Sequence, residues 1–254
     1  MIYSDIISKK QEEKKQFAVL IDPDKLEEKL LFQIIDHAVI SKVDFFFVGG
    51  SLLTSNNLDF CISNIKKNCD IPVLLFPGSP MQISSHADAI LFISLISGRN
   101  PEALIGQHVI AAPYIKRANL ETISTGYILV DAGKPTTVSY LSNSFPIPND
   151  KPEIAVCTAL AGEMLGLKLI YLDAGSGAKN AVPPEMISGV RKNISVPLMV
   201  GGGINSGEKA LEAYRAGADI LVVGNAIEKN YSLMKEISLA AKSASQTLKE
   251  SYQN

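Results

Sequence analysis

Eight short runs of apolar, β-rich residues recur along this chain of 254 residues, separated for the most part by segments with helical spacing. The runs fall at 17–22, 44–49, 72–76, 89–94, 126–131, 168–173, 197–200 and 220–224. Most are apolar throughout rather than alternating, as parallel strands covered on both faces must be. Amphipathic helices are predicted between them, among others at 25–41, 153–165, 184–192 and 206–216. Such an alternation in a chain of this length predicts one domain, 1–254, folded as a (β/α)8 (TIM) barrel. The segment "HVIAAPYI" from His108 competes as a ninth strand. We read it as part of a helix from Pro101 that bends near Pro113. The chain's end, from Lys235, reads as a final helix and a frayed tail.

Two stretches break the rhythm. Only about a dozen residues, "PGSPMQISSHAD", join the third and fourth strands, near the minimum for any parallel crossover. Either the third helix is compressed, or extended chain replaces it and leaves an apolar groove on the barrel's flank. The second stretch, 131–152, is long and rich in Pro, Ser, Thr and Asn. It follows the fifth strand, where active-site lids occur.

Composition narrows the function classes. A net charge of −2 gives no electrostatic reason to expect nucleic acid as a partner. No apolar run approaches the ~20 residues of a spanning helix. Charges near the N-terminus interrupt what would be the core of a signal peptide, which argues for a cytoplasmic protein. Cys61, Cys69 and Cys157 lack metal-ligand spacing and read as buried thiols.

Chemistry collects where barrel strands end, because the loops there build the site. "YLDAGSGA" follows strand six, "VGGGINS" strand seven and "VVGNAIEKN" strand eight. One such loop is explained by a tight turn. Three on one rim allow several bare N–H groups to converge on a phosphate, and Asn225 can open a helix whose dipole adds to the attraction. Tyr171 and Asp173 share one face of strand six by the period-two rule. A carboxylate there can orient or deprotonate a substrate hydroxyl, while a core tyrosine and a capping aspartate are the plainer readings.

Across the barrel, "LIDPDK" ends the first strand with Asp22, and Asp24 can cap the following helix. "FVGGS" brings Ser51 to the neighbouring position. Asp22 with Ser51 suits Mg²⁺, which takes few protein oxygens and completes its shell with phosphate and water. A strand-end acid equally serves as a cap. A phosphate cradle opposite a cation site fits two phosphorylated substrates, and an apolar groove would hold the hydrocarbon of a diphosphate ester.

These segments, with "GYILVDAGKPTTVSY" between them, resemble the geranylgeranylglyceryl phosphate synthases and their bacterial relatives, the prenylglyceryl phosphate synthases. The longer middle segments are similar to the second of that family's two groups. The resemblance implies magnesium-dependent transfer of a geranylgeranyl or similar polyprenyl group from its diphosphate to the 3-hydroxyl of sn-glycerol 1-phosphate, forming an ether-lipid precursor. It implies that Asp22 and Ser51 bind Mg²⁺ and that Asp173 is catalytic. It further implies that Tyr171, Leu172, Asp173, Ala174, Gly175, Ser176, Gly177, Gly202, Gly203, Gly224 and Asn225 bind glycerol phosphate. It also implies an irregular third helix, a homo-oligomer, and transient membrane contact for an enzyme whose product is a lipid.

The chain departs from the family in two places. "YLD" stands where "YLE" is frequent, so the acid's reach is one methylene shorter. Leu20 stands where some relatives place a basic residue, so Lys134 or Lys25 would meet the substrate's charge instead. A phosphosugar isomerase or lyase, or a non-catalytic phosphometabolite-binding barrel, is compatible with the glycine loops alone. Either would need no polyprenyl groove.

Overall fold

The computed structural model describes residues 1–25 and 27–251, with 247–251 by backbone alone. Eight parallel strands close into a barrel in chain order. They are β1 (Gln16–Ile21), β2 (Phe45–Val48), β3 (Val73–Leu75), β4 (Ala89–Leu95), β5 (Glu121–Leu129), β6 (Leu169–Asp173), β7 (Leu198–Gly201) and β8 (Ile220–Val223). Closure is direct, with Val19 of β1 in register with Val223 of β8. Alternate strand residues divide between two apolar layers. Phe45, Phe47, Leu74, Leu91, Tyr127, Tyr171 and Met199 fill the barrel. Phe46, Val48, Val73, Ile128, Leu172 and Val200 pack outward with the helices. That explains why the strands read as continuous apolar runs: both faces are buried.

The helices are α1 (Ile2–Gln11), α2 (Glu28–Ile40), α3 (Leu58–Asn68), α4 (Gln107–Ala118), α5 (Thr137–Leu141), α6 (Pro152–Met164), α7 (Pro184–Asn193), α8 (Gly207–Ala216), α9 (Asn225–Lys229) and α10 (Leu233–Ser251). No helix joins β3 to β4; residues 76–88 run as turns and extended chain. The crossover helix is replaced, not compressed. "HVIAAPYI" lies in α4, preceded by a π-helical turn at Glu102–Gly106, with Pro113 inside the helix. The helix expected at 25–41 begins at Glu28; residue 26, and residues 252–254 of the expected tail, lie outside those described. Asp24 does not cap α2. It turns instead onto the loop after β2, accepting bonds from the hydroxyls and N–H groups of Thr54 and Ser55. Of the cysteines, only Cys61 is fully buried, and burial pushes its thiol up to about 12. Cys69 is half-buried, and Cys157 lies on the exposed face of α6.

The N-terminal helix was not legible in the sequence. α1 places Ile6 in the interior layer with Ala18, Phe45 and Leu169. Its first N–H groups, which no preceding turn can satisfy, are met by Glu121 at 2.7 and 2.8 Å. Lys9 pairs with Asp44 at 3.0 Å, while the other oxygen of Asp44 accepts Phe17 N–H. This explains why β5 starts at Glu121, five residues before the apolar run: its polar first residues pair with β4, and its first side chain anchors α1. Ile6→Ala should lower stability by about 2–5 kcal/mol, the range for deleting a buried aliphatic chain. A fall in the urea midpoint at unchanged slope checks it.

Candidate active site

At the end of β6, Tyr171 and Asp173 both face the cavity at the barrel's C-terminal mouth, as the alternation requires. Asp173 is 6% exposed. Its Oδ1 accepts Gly175 N–H at 2.8 Å and its Oδ2 accepts the Tyr127 hydroxyl at 2.5 Å. Burial raises the Asp173 carboxyl above its usual range, against the lowering effect of these two bonds. The Tyr127 phenol is pushed well up by burial and by the Asp173 charge. Tyr171 is held edge-on to Tyr127 at 5.3 Å, its hydroxyl packed against Gly201.

Leu172 and Ala174 are placed differently from the expectation. Both side chains belong to the outer layer, and the Ala174 N–H donates to Gly201 carbonyl at 3.0 Å. They hold the strand rather than face the cavity. The N–H of Gly175 is likewise engaged, by Asp173.

The remaining glycine-loop residues do converge. Ser176, Gly177, Gly202, Gly203, Gly224 and Asn225 line one cavity of about 520 Å³. Among the described residues none of their N–H groups has a partner within the chain. Two of the three loops are tied to each other, with Ser176 and Asn225 side chains bonded at 3.1 Å. The third is seated by close packing. A Cβ on Gly202 would lie 2.8 Å from Gly175 nitrogen, and one on Gly203 2.6 Å from Ala181 nitrogen, both at positive φ. Lys134 reaches the same place, its Nζ 3.9 Å from where a Cβ on Gly177 would stand. α9 does begin at Asn225, yet spans five residues, so the bare amides outweigh its dipole.

On the adjoining wall, β1 being paired with β8, stand Asp22, Ser51 and Lys25. The Asp22 carboxylate pairs with Lys25 at 2.7 Å and accepts Asp24 N–H at 3.1 Å. Gly50 packs beside it; a Cβ there would sit in ordinary contact, 3.5 Å from the carboxylate. Glu228 of α9 lines the same wall; burial raises its carboxyl, and the Asp22 charge adds to that against the pull of Lys25. Among the described residues no cluster of three or more His, Cys, Asp or Glu could hold a metal. The donor set is one carboxylate and one hydroxyl, both hard oxygens. That suits an ion taking most of its ligands from substrate and water.

A second, apolar cavity of about 180 Å³ leaves this site along the flank where the crossover helix is missing. Ile83, Ile90, Phe92, Ala111 and Ile115 line it. The two cavities share Gly50, Ser51, Phe76, Tyr127 and Val138.

Two residues without a signal in the sequence shape this junction. Tyr127 reads as core in an apolar strand, and only the β5–β6 register, Leu129 opposite Asp173, brings its hydroxyl to the acid. Gln82, buried in the segment after β3, donates to Gly50 carbonyl at 2.9 Å and accepts Gly78 N–H at 3.1 Å. It fixes the turn that presents Ser51. The 131–152 segment contributes Thr137 and Val138 to the wall, and Thr136 packs on Gly175.

The chain matches the PcrB family over residues 8–242. It is 55% identical over 248 residues to a geranylgeranylglyceryl phosphate synthase of Chitinophaga pinensis, covering 98% of each chain. To the geranylgeranylglyceryl phosphate synthase of Thermococcus kodakarensis it is 44% identical over 230 residues, 90% of each. Among solved structures it is similar to (S)-3-O-geranylgeranylglyceryl phosphate synthase of Thermoplasma acidophilum in complex with its substrate sn-glycerol-1-phosphate. That likeness has a TM-score of 0.91 at 33% identity and covers 96% of this chain and 99% of the other.

Proposed function

The chain belongs to the PcrB family, and from that premise we propose that it transfers a geranylgeranyl or similar polyprenyl group from its diphosphate to the 3-hydroxyl of sn-glycerol 1-phosphate. The observation that carries this reading is the shared wall of the two cavities: a bare-amide cradle and an apolar groove meet at Tyr127 and Phe76. A phosphosugar isomerase has no use for the groove. The likeness to the Thermoplasma acidophilum complex supports glycerol phosphate as the acceptor.

The free N–H groups of Ser176, Gly177, Gly202, Gly203, Gly224 and Asn225 grip the phosphate, with Lys134 adding charge. The glycerol backbone then lies toward Tyr171 and Asp173, and the buried carboxylate is the final acceptor of the 3-hydroxyl proton. Hydrocarbon lies along Ile90, Phe92 and Ala111, its diphosphate toward Asp22, Lys25 and Ser51. Asp22 and Ser51 would hold Mg²⁺, which when bound offsets the charge that develops on the departing diphosphate.

No helix among the described residues is long and apolar enough to cross a membrane. The exposed Tyr140 and Phe145 beside the mouth support transient contact of a cytoplasmic enzyme with a lipid surface. The exposed Val109, Ile110 and Tyr114 of α4 support self-association into a homo-oligomer.

Incubation with labelled sn-glycerol 1-phosphate, geranylgeranyl diphosphate and Mg²⁺ should move label into an organic extract. Label that stays in water sinks the reading. Gly203→Ala should raise KM for glycerol phosphate about tenfold or more with a smaller change in kcat, since the new methyl meets backbone at a strained turn. Initial rates over a range of acceptor concentration check this.

A further inference from the structure

We propose that Tyr127 is a catalytic residue that relays the proton of the attacking hydroxyl to Asp173. This rests on the transfer reading above and names how the acceptor is deprotonated. Three observations carry it. First, both oxygens of Asp173 are engaged: one holds Gly175 N–H, the other holds the Tyr127 hydroxyl, and the residue borders only the polar cavity. Second, Tyr127 lies at the junction. It borders both cavities, at the place where an acceptor from the cradle must meet the first carbon of a chain lying in the groove. Third, its hydroxyl has capacity to spare. It donates to Asp173 at 2.5 Å, its one bond among the described residues, so an oxygen lone pair remains to accept from substrate.

A bond of that length between a phenol and a carboxylate is charge-assisted and strong, and it aims the phenol proton at its acceptor in advance. The ring cannot swing away. Tyr171 meets it at 90° and 5.3 Å, and Phe76 packs at 6.5 Å. In the step itself, the glycerol 3-oxygen forms a bond to the first prenyl carbon as the bond from that carbon to diphosphate breaks, the electron pair leaving with diphosphate. The proton of the 3-hydroxyl passes to the Tyr127 oxygen while the Tyr127 proton passes to Asp173 Oδ2. Tyr127 ends neutral, and Asp173 ends as the acid. The relay spans the distance that a short aspartate side chain leaves open.

The test uses the full-length protein. Tyr127→Phe should lower kcat by about thirtyfold or more with KM for sn-glycerol 1-phosphate within about threefold, because the phosphate grip is untouched. In that background Asp173→Glu should recover at least about tenfold of the rate, since one added methylene lets the carboxylate reach the hydroxyl directly. Retention of more than about a third of kcat by Tyr127→Phe overturns the relay. So does failure of the double variant to recover while Asp173→Glu alone is active. A structure with sn-glycerol 1-phosphate bound decides independently of rates. The relay requires the 3-hydroxyl within about 3.2 Å of the Tyr127 oxygen, and a direct bond to Asp173 overturns it. Absence of product from the wild-type protein overturns the transfer reading and the relay together, whereas an active wild type with an indifferent Tyr127→Phe overturns the relay alone.

Discussion

Asp22→Ala should abolish the proposed magnesium-dependent reaction, with kcat/KM falling by about 10³ or more. Asp22 is the one carboxylate of the proposed cation site, and a metal's charge stabilisation is worth several kcal/mol to the departing diphosphate. At about 1.4 kcal/mol per factor of ten, a loss of roughly 4 kcal/mol gives that magnitude. The side chain also accepts Asp24 N–H at 3.1 Å and pairs with Lys25, so the variant needs a thermal-unfolding control. The decisive measurement is a Mg²⁺ titration of initial rate. A variant that keeps full activity and the wild-type Mg²⁺ response removes Asp22 from the metal site.

Asp173→Asn should lower kcat by about 10²–10⁴, the usual worth of a positioned proton acceptor, while binding of glycerol phosphate changes little. Asparagine keeps the shape but has a single acceptor oxygen, so it can replace the bond from Gly175 N–H or the bond from Tyr127 and not both; the loss combines the charge with one hydrogen bond. The pH dependence has a definite sign. Burial raises the Asp173 carboxyl in the free protein, and only the ionised form takes a proton. Activity is therefore full above that raised pKa and declines as pH falls through it. The acid limb of kcat/KM should lie above the ordinary carboxylate range in the wild type and vanish from the residual activity of Asp173→Asn. An unchanged rate in the variant takes Asp173 out of the chemistry.

The barrel was legible because its signal is redundant. Each strand hides both faces, so each reads as an apolar run whatever its neighbours do. α1 was not, because only Ile6 of its residues is buried and its anchors, Asp44 and Glu121, lie far along the chain. The convergence of the three glycine loops on one cavity was legible because glycine at three consecutive strand ends is costly without a use. Leu172 and Ala174 show the opposite case. They came with a motif taken as a block, although the two-residue period that turns Tyr171 and Asp173 inward turns their neighbours out. Tyr127 and Gln82 were invisible for a different reason: their partners are set by strand register and by a turn without regular structure. Asp24 looked like a cap and is a latch, since a carboxylate beside a turn has no local signature of which loop it will seize.

The missing helix between β3 and β4 has a consequence for traffic. A hydrocarbon of many carbons threaded end-on into a closed tunnel must advance its whole length through one opening, and its product must back out the same way. Here the wall beside β4 is turns and extended chain rather than a rod, so no helix backs that side of the slot. An oily tail can be laid in broadside and lifted out broadside, and loading demands no parting of the staves.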